Sequence, residues 1–188
     1  SSGVDSHRNS SINEYHDAID CLIELGYQVV RLGAKVEESL NKEGPLIFDY
    51  ATSGIRSDIL DVFLISECSF HIGIGGSGLD AVSTLFRKRQ LFLNIVELWA
   101  LSGYPYNAVL TFQKLKKGER VIPLSSVINY GYHNYSLALQ YTNSNIELIK
   151  NSKKEIRGAI LEMHLRHIKK WKNNELDERN WLERSCRQ

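Results

Sequence analysis

The sequence predicts an α/β fold, a doubly wound and mainly parallel sheet with helices on both faces. Three observations predict it. Strand-like and helix-like segments alternate without hairpin signals between them, which requires crossover connections and parallel pairing. Two short apolar runs, residues 69–74 and 90–96, read as strands buried on both sides. A glycine cluster, residues 73–78, falls where one of these strands meets a helix.

Each element has a local cause. Ser11 and Glu14 have the spacing of a capping box, and Ile12, Tyr15, Ala18, Ile19, Leu22 and Ile23 then recur on one helical face. Gly26 ends that helix. Residues 27–32 (YQVVRL) read as a strand, with Gly33 as the turn after it. Residues 35–45 are charged, end in Gly44-Pro45 and form a surface loop; residues 46–48 form a short strand. Residues 57–68 form a helix with Asp58 and Asp61 in the first turn, where the dipole favours them. Strand 69–74, a short helix over 79–86 and strand 90–96 follow.

Residues 99–118 carry turn signals in Gly103-Tyr104-Pro105-Tyr106 and Lys116-Lys117-Gly118 and read as an irregular insertion. Residues 121–124 form one more short strand. Ser152 and Glu155 repeat the capping box and open a helix to about Trp171, with Ile156, Ile160, Met163 and Ile168 inward. The tail from Lys172 is polar apart from Trp181 and Leu182. The division expected is a ligand-binding domain over residues 1–150 and a C-terminal helix and tail over 151–188. The first clear element is a helix, whereas doubly wound domains open on a strand, so a first strand is expected upstream.

Composition narrows the function. An apolar fraction of 43% and a charged fraction of 24% over 188 residues describe one globular domain. A formal charge of +1 argues against nucleic acid as a partner. No apolar stretch is long enough to cross a bilayer, and residues 1–11 lack the apolar run of a signal peptide. Cys21, Cys68 and Cys186 are three in number, widely spaced and without a CxxC pair; reduced thiols in a cytosolic protein account for Cys21 and Cys68.

The glycine cluster carries the chemistry. Between a parallel strand and a helix N-terminus, backbone N–H groups and the helix dipole make a pyrophosphate site. Gly75, Gly76 and Gly78 let the backbone approach, and Ser77 adds a hydroxyl. No Gly-Lys-Ser/Thr follows, so it is not a Walker loop. Gly73, Gly75 and Gly78 also match G-x-G-x-x-G, and Glu97 ends the next strand where a dinucleotide fold places its ribose-binding acid. A purely structural turn is the third reading. Arg56 and Asp61, at the start of helix 57–68, face the same crevice as a phosphate clamp and a hydrogen-bond acceptor, or form an ion pair on the surface. Arg31, just before Gly33, contacts a donor phosphate or pairs with Asp49 or Asp58. Arg8 lies before the first helix and leans into the crevice or stays solvated. Tyr50 stacks on a base or packs; His71 reads as a packed residue rather than a base. His164 and His167 lie three apart on the last helix, without a third metal ligand nearby.

The stretch from Ser57 to Ser77 (SDILDVFLISECSFHIGIGGS) resembles the donor-site motif of fucosyltransferase-type GT-B glycosyltransferases, with Arg56, Asp61 and Ser77 at the matching positions. Segments along nearly the whole chain, His7-Arg8-Asn9-Ser10, Val29 to Gly33, Phe48 to Ala51 and Ile160 to Met163, are similar to glycosyltransferases of bacterial surface-polysaccharide clusters. The resemblance implies the Rossmann-like, donor-binding half of a GT-B enzyme. It implies a GDP- or UDP-sugar as substrate, a glycan or lipid-linked acceptor, and no tightly bound metal or cofactor. It also implies a cytoplasmic protein, with the inner face of the membrane as one place of work. The basic motif on the first strand and the acceptor-binding domain of such enzymes are not in this chain and are expected upstream. An NAD- or FAD-binding module, a non-catalytic nucleotide-sugar binder and an epimerase are the alternatives.

Overall fold

In a computed structural model of the chain, residues 11–98, 103–105 and 107–172 are described. Helices and strands are mixed, and two of the three sheets are parallel. After a 3₁₀ turn at Ile12–Tyr15 come α1 (His16–Glu24), β1 (Val29–Arg31) and β2 (Ile47–Asp49), with β1 and β2 paired in parallel. Helix α2 (Asp58–Glu67) leads to β3 (Phe70–Gly73), α3 (Gly78–Leu85), β4 (Arg89–Ile95) and β5 (Val109–Phe112). Strands β3, β4 and β5 make a parallel sheet in that order.

Two expectations are corrected beyond Ile95. Residues 99–118 are not wholly irregular, because they contain β5 and also β6 (Lys114–Lys117). The strand expected at 121–124 is instead β7 (Arg120–Val121), followed at Leu124 by α4 (Leu124–Asn129), which Pro123 opens. Helix α5 (Ala138–Asn143) and β8 (Glu147–Ile149) complete this part. Strands β7, β6 and β8 form an antiparallel sheet, so the chain is not parallel throughout. The turn at Lys117-Gly118 is a hairpin between β6 and β7, with Gly118 at φ +59°.

The main core lies between α1, the last helix α6 (Lys153–His167) and the parallel sheet. Ala18, Cys21 and Leu22 meet Ile156, Ile160 and Met163 over Leu91 and Leu93 of β4. Burial pushes the Cys21 thiol upward, as befits an inert core residue. Gln90, on the alternate side of β4, bonds to α3, so β4 has helices against both its faces. A second core joins Val96, Leu115, Val127, Tyr141 and Ile146 around the antiparallel sheet. Helix α2 inverts the usual pattern: it buries Asp61 and Ile65, while Ile59 and Phe63 stay exposed.

One bulge decides how β4 ends. Between Phe92 and Ile95, two residues of β4, Leu93 and Asn94, stand against one of β5, Thr111, and Asn94 takes φ +58°. Asn94 turns toward α6: its Oδ1 accepts from Asn151 N (2.6 Å), its Nδ2 donates to the Tyr15 hydroxyl (2.9 Å), and its own N–H donates to Asn151 Oδ1 (3.0 Å). Were the alternation unbroken through Asn94, position 97 would fall with Leu91 and Leu93 on the helix-covered face. With the bulge, Glu97 falls on the side of Gln90 and Phe92.

Asn94→Val loses the two side-chain bonds and forces a β-branched side chain into a left-handed backbone, for a loss of roughly 2–4 kcal/mol. Asn94→Gly, which accepts the backbone, loses visibly less in urea denaturation; equal losses would show that the bulge conformation does not matter. A second prediction concerns acid. Lys114, 2.6 Å away, and the Ser152 N–H hold the Glu155 carboxyl at about 2, against opposing burial. Its folded value is depressed, so its contribution is complete above the ordinary carboxylate range and is lost as pH falls toward 2. Melting curves should therefore separate wild type from Glu155→Gln at neutral pH and converge between pH 4.5 and about 2.

Candidate functional site

The glycine loop sits at the carboxyl end of β3, as the sequence predicts. Gly75 and Gly76 both take left-handed backbone, at φ +84° and +81°. A Cβ on Gly75 would overlap the Tyr104 hydroxyl and approach Ile95, so only glycine fits there. Ser77 is the N-cap of α3, its Oγ accepting from Leu79 N at 3.1 Å. Asp80 completes a capping box, Oδ2 accepting from Ser77 N at 2.8 Å.

Asp80 also holds His71, whose Nε2 lies 2.8 Å from Oδ1. This pair explains Gly73: a Cβ there would stand 2.5 Å from Asp80 Oδ1 and 3.2 Å from His71 Nε2. The first glycine of the G-x-G-x-x-G pattern thus makes room for a carboxylate within the protein. The Ser77 N–H is already bonded by that carboxylate. Among the described residues, the N–H groups of Gly75 and Gly76 have no protein acceptor.

Beside the loop lies a cavity of about 300 Å³. Gly76, Ser77, Asp80, Ala81 and Thr84 line it from the loop and α3; Gln90, Phe92 and Glu97 line it from β4 and its end. Gly103, Tyr104 and Pro105 line it as well, with the Tyr104 ring 4.7 Å from that of Phe92. Glu97 is 7% exposed and Gln90 fully buried. The glycine loop and Glu97, which the dinucleotide reading of the sequence takes together, border one space. Gln90, Phe92, Thr84 and Tyr104 were not singled out by sequence. Their signals were slight: a Gln heading an apolar run, and a Tyr inside a turn.

The remaining candidates lie elsewhere. Arg31 is spent internally, donating to the Glu38 carbonyl at 2.8 Å and to Asp49 Oδ2 at 3.1 Å, which selects the pairing with Asp49 over Asp58. Burial would raise the Asp49 carboxyl, but the Leu40 N–H, the Thr52 hydroxyl and Arg31 together hold it below the usual range. Gly33 is packed, with Val36 2.7 Å from where its Cβ would stand. Arg56 bonds Asp61 at 2.5 Å and Asp58 at 2.9 Å; Asp61 is 4% exposed, so this pair is largely internal and not a surface one. Asp61, chiefly through that hydrogen bond, raises the Arg56 guanidinium further. None of Arg31, Gly33, Arg56 and Asp61 lines the cavity. Arg8 lies outside the described residues. Tyr50 is 1% exposed, its hydroxyl accepting from Ser57 N, which selects packing over stacking on a base. His164 takes the Tyr27 hydroxyl at 2.8 Å, and His167 packs on Tyr27 and Phe70. Among the described residues no three His, Cys, Asp or Glu side chains cluster as a metal site, and no helix is long and apolar enough to cross a membrane.

No family model, curated protein or solved structure matches the chain.

The packing at Gly73 predicts a particular non-additivity. Gly73→Ala should destabilise by about 1–3 kcal/mol through the clash with Asp80. In an Asp80→Ala background most of that penalty should vanish, as measured by a double-mutant cycle in urea. Additive losses would show that the clash is not with the carboxylate.

Proposed function

We propose that the chain binds a nucleoside-diphosphate sugar at the carboxyl edge of its parallel strands, as the donor-binding, Rossmann-like half of a GT-B glycosyltransferase. The observation that carries this reading is the single cavity bordered by Gly76 and Ser77 on the loop and by Glu97 after the β4 bulge. Ligands of parallel α/β sheets bind outside the carboxyl ends of the strands. In this reading the Gly75 and Gly76 N–H groups hold the diphosphate, the Ser77 hydroxyl assists, and Glu97 accepts from ligand hydroxyls.

The Asp80 carboxylate occupies the helix end where a phosphate would otherwise dock. The diphosphate is therefore held by the loop rather than by the helix terminus. Those two amides stabilise charge on the departing diphosphate as the glycosidic bond breaks. The sugar passes to a glycan or lipid-linked acceptor, which a partner domain presents together with the general base. No role in this step falls to Arg31 or Arg56, whose guanidinium groups are engaged by protein carboxylates.

One rival has an observation of its own. Gly73, Gly75 and Gly78 bracket the strand-to-helix junction and Glu97 borders the same cavity, which suits an NAD or FAD module. Against it, Gly73 is occupied with the His71–Asp80 pair, and the first-turn carboxylate of α3 opposes a pyrophosphate at the helix end.

Thermal-shift assays decide between them. GDP, UDP or their sugar conjugates should stabilise the protein while NAD and FAD do not; stabilisation by NAD alone would overturn the proposal. Ser77→Asn and Ser77→Asp both keep an N-cap. The Asn variant should retain diphosphate binding, whereas the Asp variant should weaken it about tenfold or more by placing a second carboxylate beside the phosphates.

A further inference from the structure

Helix α2 is apolar almost all the way round. Ile59, Leu60, Val62, Phe63, Leu64 and Ile65 follow one another with only Asp61 between them. A helix of this kind belongs where it is covered on all sides. Here one side is covered. Asp61 and Ile65 face the protein, while Ile59, Val62 and Phe63, at i, i+3 and i+4, lie on the opposite side. Ile59 is 81% exposed and Phe63 56%. Helix α2 packs beside α3, the helix on the face of β4 away from α1 and α6. At the end of α3, Leu85, 80% exposed, and Phe86 continue the apolar surface. Together these side chains leave on the order of 600 Å² open, the upper end for the largest apolar patch of a monomer. With a rim of Asp58, Ser66 and Lys88 the face approaches the roughly 800 Å² that each partner gives to an interface of standard size.

The charges around the face say what covers it. Helix α2 carries Asp58 and Glu67 and no Lys or Arg, which disfavours an anionic membrane surface. The face is instead complementary to itself. Asp58, its side chain 94% exposed, opens the helix. Lys88 stands at the other end: burial pushes the Cys68 thiol up, and the nearby Lys88 ammonium opposes the rise. With a second α2 laid antiparallel about a twofold axis near Val62, Ile59 of each copy meets Phe63 of the other. Asp58 of each copy then approaches Lys88 of the other.

We propose that the outer face of α2, continued by the end of α3, is a twofold-symmetric interface between two copies of this chain, with Ile59 and Phe63 at its centre. It stands apart from the function proposed above, because none of these residues lines the cavity.

Sedimentation equilibrium of the full chain tests it. At micromolar concentration the wild type should weigh twice the 21.5 kDa of one chain. Phe63→Lys, at an exposed position, should weaken dimerisation about thirtyfold or more while leaving the far-UV circular dichroism unchanged. Asp58→Lys should weaken it as well, and Lys88→Glu in the same chain should restore it. Val62→Cys, beside its own copy at the axis, should give a disulfide-linked dimer under mild oxidation that the wild type, with its own cysteines, does not give. A wild type that keeps the mass of one chain at near-millimolar concentration would overturn the proposal and leave the face to a different polypeptide. A dimer that survives Ile59→Lys and Phe63→Lys together would overturn it too, by placing the interface elsewhere. If Phe63→Lys does not fold, the mass of the wild type and the Val62→Cys cross-link decide. Absence of any nucleotide binding would leave these masses unchanged, so the two readings stand or fall separately.

Discussion

The reciprocal bonding of Asn94 and Asn151 holds the rest of the structure in register. Each donates its backbone N–H to the other's side-chain oxygen, and the pair also engages Tyr15, Thr111 and the Phe112 carbonyl. These bonds fasten the centre of the parallel sheet to the segment that caps α6 and to the turn before α1. Their cost is a left-handed residue inside a strand, which persists only where surrounding bonds over-determine it. The consequence is chemical as well as structural. Past the bulge the strand's faces exchange, so Val96 joins the second core and Glu97 turns toward the glycine loop.

A second constraint is the double use of Asp80. One carboxylate oxygen caps α3 through Ser77 N, and the other holds His71 on the neighbouring strand. Helix α3 is thereby pinned to β3 at the loop, and Gln90 and Thr84 pin it again from β4. This rigidity suits a site whose groups must be in place before a ligand arrives. The double use also places a carboxylate at the N-terminal end of α3, where many α/β proteins receive a phosphate.

The charged residues follow a related logic. Arg31 and Arg56, which sequence alone offers as phosphate clamps, are engaged by Asp49 and by Asp58 and Asp61. Truncating a partly buried guanidinium of this kind would strand a carboxylate, so loss of folding and loss of binding would look alike. The loop and the cavity, which use few charges, separate those effects more cleanly.

The sequence by itself determined the elements that depend on local signals. The capping box at Ser152, the helix from Asp58, the strands at Phe70 and Arg89 and the glycine loop between them are where periodicity and caps place them, whereas Ser11 caps only a 3₁₀ turn without a capping box and α1 begins at His16. Short-range pattern also singled out Ser77 and Glu97, which line one cavity. What it could not supply was pairing. Strand β5 and the antiparallel sheet lie in a stretch whose turn residues mask its short strands, because strands of two to four residues carry too little pattern to be read without their partners. The engagement of Arg31 by Asp49, and the union of Gln90, Glu97 and Tyr104 around one space, were decided only by the tertiary structure. Whether a charge or an amide is spent internally or left for a ligand depends on which distant residue folds against it, and the bulge at Asn94 settles that for Glu97 by a single inserted residue.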